Sequence, residues 1–209
     1  MLPLLGHAST VKSNPTLSVD GFTFYGFTCN VTHHGGATPT GCGQIDVHTI
    51  TEPGSGIEFS SGFSVSGKNS FDDALITYHV SSLTPITSVG LDFNGTFAGK
   101  AIASVTESIF SGNQLVGMGY VACGYGDAGC TRHDDITLDG LFTNLFIKKD
   151  IQLDSHKQLS SAQISYVDQT FTTATPEPAS FAMIGAGLIG VAGILRRRTK
   201  AAAKATENA

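Results

Sequence analysis

The sequence contains no tryptophan, only five tyrosines and few charges, with Lys, Arg, Asp and Glu making up 14% of its 209 residues, against about 25% in ordinary soluble domains. Exposed helix faces usually carry Lys and Glu, so this scarcity disfavours a helical body. Glycine (25 residues) and abundant Ser and Thr supply the polarity instead, a composition suited to short strands joined by tight turns. Sugar-cleaving clefts commonly offer aromatic platforms, and the shortage of Trp and Tyr speaks against one here. No G-x-S-x-G elbow, H-E-x-x-H pair or P-loop occurs ahead of the C-terminal tail. The body is therefore not expected to be an enzyme, and no cofactor is expected.

Basic residues are also scarce where they would matter for nucleic acid. Residues 9–175 hold seven Lys and Arg against fifteen Asp and Glu, a balance near −8 that the whole-chain value of −5 conceals. Five of the twelve basic residues lie after position 195. Phosphate backbones demand clustered Lys and Arg, so nucleic acid is not expected as a partner. Neutral or cationic partners fit the acidic body.

What is present reads as strands. Gly21–Cys29, Ile57–Val65, Ala74–Val80, Ser88–Phe93 and Leu115–Cys123 are rich in aromatic and β-branched residues, and several alternate apolar with polar. Gln44–Ile50, Ala101–Phe110, Ile136–Ile151 and Ala162–Thr172 follow the same pattern. A period of two places Phe22 and Phe24 on one face and Thr23 and Tyr25 on the other. Roughly eight to ten strands at regular spacing predict an all-β fold, a β-sandwich or jelly-roll-like domain over residues 9–173. A single C-terminal transmembrane helix is expected to follow it.

The four cysteines fall in local pairs, Cys29 with Cys42 and Cys123 with Cys130. They permit three connectivities, of which the local one is simplest. In an exported chain each pair staples a loop, the first contributing roughly 2–3 kcal/mol. A four-thiolate zinc site is the rival reading, but neither spacing has the C-x₂₋₄-C form of zinc ligands. His33, His34, His48 and His79, and the stretch holding Asp127, His133, Asp134 and Asp135, offer metal-ligating types without a ligand motif. Calcium, which takes hard oxygen ligands, suits the second set best, yet solvated loop residues are the simpler reading and no metal is expected. Asp72 and Asp73 read as a turn leading into a strand.

The two ends differ from the body. Residues 1–8 (MLPLLGHA) resemble the end of a secretory signal peptide, with cleavage after Ala8, and further residues are expected upstream. After Thr173 the chain becomes a proline-stiffened linker, Pro176-Glu177-Pro178, because proline fixes its own φ and extends the residue before it. Residues 179–195 are seventeen uncharged positions, at the lower limit for spanning a bilayer as a helix. Arg196, Arg197 and Arg198 follow directly and hold that end on the cytoplasmic side, with residues 199–209 as a tail. The G-x-G-x-x-G match at Gly185–Gly190 lacks the strand and second βαβ unit that a dinucleotide fold needs, and suits close packing of membrane helices.

Pro-Glu-Pro, one apolar segment and an arginine cluster, in this order at the C-terminus, resemble the PEP-CTERM sorting domain of bacterial exported proteins over residues 174–198. The resemblance implies that exosortase, a membrane-embedded transpeptidase, recognises Pro176, Glu177 and Pro178. It further implies that residues 179–195 hold the chain transiently in the inner membrane, and that Arg196–Arg198 stop transfer. The expected destination is the cell surface or an exopolysaccharide matrix, with a structural or interaction role. A secreted carbohydrate-binding module, with or without a calcium requirement, or a carbohydrate-active enzyme on the same signal is the alternative.

Overall fold

A computed structural model describes residues 9–125 and 130–174. The expected signal remnant, Asp127, the sorting residues Pro176–Pro178, the apolar segment and Arg196–Arg198 lie outside the described residues.

Ten strands form the body: β1 (Ser9–Thr10), β2 (Leu17–Val19), β3 (Phe22–Thr38), β4 (Asp46–Ile50), β5 (Gly56–Ala98), β6 (Ala101–Ser111), β7 (Gln114–Gly124), β8 (Cys130–Thr131), β9 (His133–Ser155) and β10 (Ser161–Thr173). Two short 3₁₀ turns, Val11–Ser13 and Cys42–Gln44, complete it. Every predicted strand segment falls on a strand, with only Gly21, Gln44 and Ile45, at segment starts, lying just ahead of it, so the all-β expectation holds. The expectation for Asp72 and Asp73 does not. Both lie inside β5 rather than in a turn before it, because the left-handed corner falls earlier, at Gly67 and Asn69. Glycine and asparagine tolerate that backbone at little cost.

The strands hydrogen-bond into one continuous sheet that folds over itself, because β5 and β9 are long enough to serve two layers. Residues 56–66 of β5 pair with β4 and β10. Residues 70–82 pair with β3 and the second half of β9, and residues 86–98 return to β10. Along both of its pairings with β5, numbering on β10 rises as numbering on β5 falls, from Ser161↔Ser66 to Thr170↔Gly56 and from Ala162↔Phe97 to Thr172↔Ser88. The first layer thus runs β1, β4, β5 (56–66), β10, β5 (86–98) and β9 (133–142). The second runs β2, β3, β5 (70–82), β9 (144–155), β6, β7 and β8. Register shifts between Ser81 and Ile86 mark where the β5–β9 pair passes from one layer to the other.

Side chains meeting between the layers form the core. Phe24 of β3 lies 5.5 Å from Phe171 of β10, and Phe59 lies 5.7 Å from Tyr78, ring centre to ring centre. Along β9 the inward phase reads Leu145, Ile147, Lys149, Ile151, Leu153, and all five are buried. The edge between β7 and β9 is closed by glycine. A Cβ on Gly119 would sit 2.5 Å from Ile136 Cδ1, and one on Gly117 2.9 Å from Ile136 Cγ2, so the alternating glycines of Gly117-Met-Gly119 let the two layers approach.

Candidate functional site

Both local cysteine pairs are disulfides, Cys29–Cys42 and Cys123–Cys130. The first ties β3 to the Cys42–Gln44 turn, and the second joins register partners on β7 and β8. No free cysteine remains, which replaces the zinc alternative with covalent staples.

The histidines and acids considered from sequence are scattered. Among the described residues no three His, Cys, Asp or Glu side chains group as a metal site requires. His48 Nε2 stands 3.5 Å from Glu58 Oε1. His133 sits between two carboxylates, Nδ1 at 2.8 Å from Asp92 Oδ1 and Nε2 at 3.0 Å from Asp135 Oδ2. The hydrogen bonds its ring N–H groups donate to Asp135 and then Asp92 hold its pKa above the ordinary histidine value. Asp134 instead accepts the backbone N–H of Tyr120 at 2.9 Å, capping the exposed edge of β7.

His79 belongs to a different constellation. In β5 the inward positions Ile76, Tyr78 and Val80 leave His79 on the outer face of the second layer. The same phase argument turns Tyr25 of β3, Phe110 of β6 and Phe146 of β9 outward, beside buried Phe24, Ile109, Leu145 and Ile147. Register then aligns them: Tyr25↔His79, His79↔Phe146 and Phe146↔Phe110. Tyr25 stacks on His79 at 5.4 Å with an interplanar angle of 17°. His79 and Phe146 are 4.9 Å apart, and Phe146 and Phe110 6.3 Å. Four rings therefore cross four adjacent strands, a band roughly 14 Å long at a strand spacing of about 4.8 Å.

Polar rows flank this band. On one side lie Thr23, Ser81 and Asn144, and on the other Thr28, Thr77, Lys148 and Ser108. The Thr28 and Thr77 hydroxyls are 2.6 Å apart, and Lys148 Nζ lies 5.6 Å over the Phe110 ring. A shallow depression of about 320 Å³ opens beside His79, Asn144 and Phe146. An apolar stripe of ring faces between two rows of hydroxyls, an amide and an ammonium is chemically matched to a sugar chain, whose C–H faces are apolar and whose rim is hydroxylated. Sequence reading placed these aromatic residues in strands without singling them out. The outward phase, combined with cross-strand register, is the signal that finds them.

Residues 174–198 match the PEP-CTERM protein-sorting motif, as the order of linker, apolar segment and arginines suggested. The motif marks an exported protein sorted through exosortase. No curated protein matches the chain. Among solved structures, similarity is found to TmCBM61 in complex with beta-1,4-galactotriose, at 9% identity over 70% of this chain and 88% of that one, TM-score 0.33. Carbohydrate-binding modules from the beta-sandwich super family match at 16% identity over 69% of this chain and 56% of that one, TM-score 0.31. The enzymatically active domain of Bacteriophage CBA120 tailspike protein 4 matches at 9% identity over 70% of this chain and 19% of that one, TM-score 0.33. At these scores the likenesses carry no argument about this chain, and the two-layer fold rests on its own strand register.

Proposed function

We propose that this is a non-catalytic protein of the cell surface or extracellular polysaccharide matrix, whose body holds uncharged glycan on the aromatic band of its second layer. The observation that carries the reading is the row Tyr25, His79, Phe146 and Phe110, partly exposed and uncovered by any element of the described residues. Stacking of sugar C–H faces on such rings is tolerant of sequence along the chain, as association with a repetitive matrix requires. In this reading residues 179–195 hold the precursor in the inner membrane, and exosortase acts at Pro176–Pro178 once the body has been exported. The disulfides fit the same route, since they persist in oxidising compartments.

Affinity electrophoresis of the full chain through gels containing uncharged polysaccharides, a β-glucan, a galactan and the host's own matrix fraction, tests the binding. Retardation is expected in at least one gel, and Tyr25→Ala is expected to weaken it about tenfold, equivalent to about 1.4 kcal/mol. Mobility that is unchanged in every gel, for the parent and the variant alike, would sink the glycan reading. Sorting is tested separately by the intact mass of the mature protein from hosts with and without exosortase. A C-terminus near Pro176–Pro178 that requires the enzyme is expected, whereas a chain ending at Ala209 in both strains would leave an ordinary membrane anchor.

A further inference from the structure

A second row of polar side chains crosses the opposite outer face, on the first layer. Register places His48, Glu58, Asp168, Asp92 and His133 side by side on neighbouring strand segments. Each stands out of phase with buried neighbours such as Ile57 and Phe59, Val167 and Gln169, or Leu91 and Phe93. The ends of the row are compensated, Glu58 by His48 and Asp92 by His133, which also holds Asp135. The middle is not. Asp168 is only 8% exposed, and its Oδ1 has no hydrogen-bond partner among the described residues. Burial first, then the Glu58 charge and a hydrogen bond with Glu58, then the Asp92 charge, push Asp168 up to about 7 against the smaller opposing pull of the Lys149 ammonium.

Asp168 and Asp92 line a pocket of about 300 Å³ whose walls include Pro53, Asn94, Arg132 and Tyr166. The Arg132 guanidinium donates to Gly95 O at 3.1 Å and forms no ion pair with either carboxylate. The row therefore holds a concentration of negative charge that the surrounding protein leaves partly unmatched, beside a cavity large enough for a sugar ring.

The chemistry of the site selects among ligands. A sugar hydroxyl donates one hydrogen and leaves the repulsion between the carboxylates in place. A divalent metal ion needs several oxygens converging at about 2.3–2.6 Å, and the described side chains do not converge in that way. A protonated primary amine supplies one positive charge and three donors at ordinary hydrogen-bond distance, which neighbouring strands can share. Tyr166 and Pro53 then offer apolar walls to the ring that bears the amine, and Asn94 and Arg132 offer donors to its hydroxyls.

We propose that this pocket binds amine-bearing sugar units of a polysaccharide, the ammonium seated against Asp168 and Asp92. The site lies on the other layer from the aromatic band and does not rest on the reading given to that band. It fits the acidic balance of residues 9–175, which favours neutral or cationic partners.

Titration calorimetry of the full chain in mild detergent at neutral pH tests the proposal with four probes: a glucosamine hexamer, the N-acetylated hexamer of the same linkage, a short polylysine and calcium chloride. The glucosamine hexamer is expected to bind at least tenfold more tightly than its acetylated counterpart. Asp168→Asn is expected to weaken the amine hexamer at least tenfold, while Leu83→Ser, at an exposed position outside both sites, leaves it unchanged. Because the asparagine keeps the shape of the side chain and relieves repulsion within the row, its thermal midpoint should not fall, which separates lost binding from lost folding. Equal affinity for the two hexamers, or an unaltered Asp168→Asn variant, overturns the proposal. So does a calcium response that vanishes in Asp168→Asn, which would make this a cation site, or a tighter polylysine complex, which would make the partner a basic protein. Loss of uncharged-glycan binding in Tyr25→Ala alone bears only on the aromatic band.

Discussion

Replacing Lys149 with methionine is expected to destabilise the protein by about 3–5 kcal/mol, the usual consequence of stranding one member of a buried ion pair. Lys149 occupies an inward position of β9 between Ile147 and Ile151, and its ammonium lies 2.5 Å from Glu107 Oε2 across the β6–β9 register. Neither side chain is exposed to solvent. Burial pulls the lysine pKa below its ordinary value, while the Glu107 carboxylate opposes that pull. Glu107 Oε1 has no other partner, so methionine at 149 leaves a carboxylate with nothing to neutralise it. Tyr78 is close enough for that charge to act on it: burial, and then Glu107, push its hydroxyl well above the ordinary tyrosine range. The hydroxyl donates to Gln169 Oε1 at 3.2 Å, and Gln169 Nε2 donates to Gly90 O at 3.1 Å. A polar thread thus runs between the layers beside the pair. Exchanging both partners for apolar residues, Glu107→Leu with Lys149→Met, is expected to recover most of the loss, because the desolvation of two ions disappears along with their attraction. Urea unfolding of the full chain reads both variants. A lone Lys149→Met variant within about 1 kcal/mol of the parent would mean that water reaches the pair.

Why the sequence revealed the strands but not the faces follows from the same residues. The segments Ala101–Phe110 and Ile136–Ile151 are apolar enough to be strands on any reading, and the cysteine pairs close over short local spans, so both were legible. Lys149 and Glu107 sit in the inward phase of clean period-two patterns. That phase is visible in the sequence, but which outward or inward residue stands beside which depends on register between segments far apart in the chain. Tyr25 meets His79 and then Phe146 only because β3, β5 and β9 pair as they do. The charged row depends on β10 lying between two parts of β5, a topology that no local pattern encodes. Asp72 shows the opposite failure. Adjacent acids after Gly67, Lys68 and Asn69 look like a turn, yet the corner ends before them and Asp72 falls into the inward phase with Ala74 and Ile76. Composition gave no hint of the band either: a chain without Trp and with five Tyr still aligns Tyr25, His79, Phe146 and Phe110 on one face.

The misplaced acid carries the second large effect: the protein is expected to be most stable at about pH 4–5 and to lose stability as the pH rises toward 8. Asp72 is fully buried and neither of its carboxyl oxygens has a partner. Burial, and then the neighbouring Asp73 charge, push it from 3.8 up to about 7. Asp168 is likewise pushed to about 7, and Asp150, through burial and its contact with Asp73, to about 6. From about pH 4 up to its own raised value, about 6 for Asp150 and about 7 for Asp72 and Asp168, each of these groups keeps its proton in the folded protein and loses it in the unfolded chain. The unfolded state then binds fewer protons, so stability falls with rising pH across that window and levels off above it. His133 acts in the same direction: its folded pKa is raised, so its contribution is full at low pH and is lost as the pH climbs through that value. For Asp72 alone the effect reaches about 4 kcal/mol at most. Asp72→Asn keeps the side chain neutral at every pH. It is expected to be more stable than the parent by roughly 1.5 kcal/mol at pH 5 and by about 4 kcal/mol at pH 8, the latter a rise of roughly 8–16 °C in the thermal midpoint. Thermal scans of parent and variant at pH 5 and pH 8 decide the matter. Curves that stay parallel across that range would mean that Asp72 is already ionised and solvated in the folded protein. A pH 8 gain confined to Asp72→Asn would show that the cost of an unpartnered carboxylate inside the sandwich is borne by the fold itself.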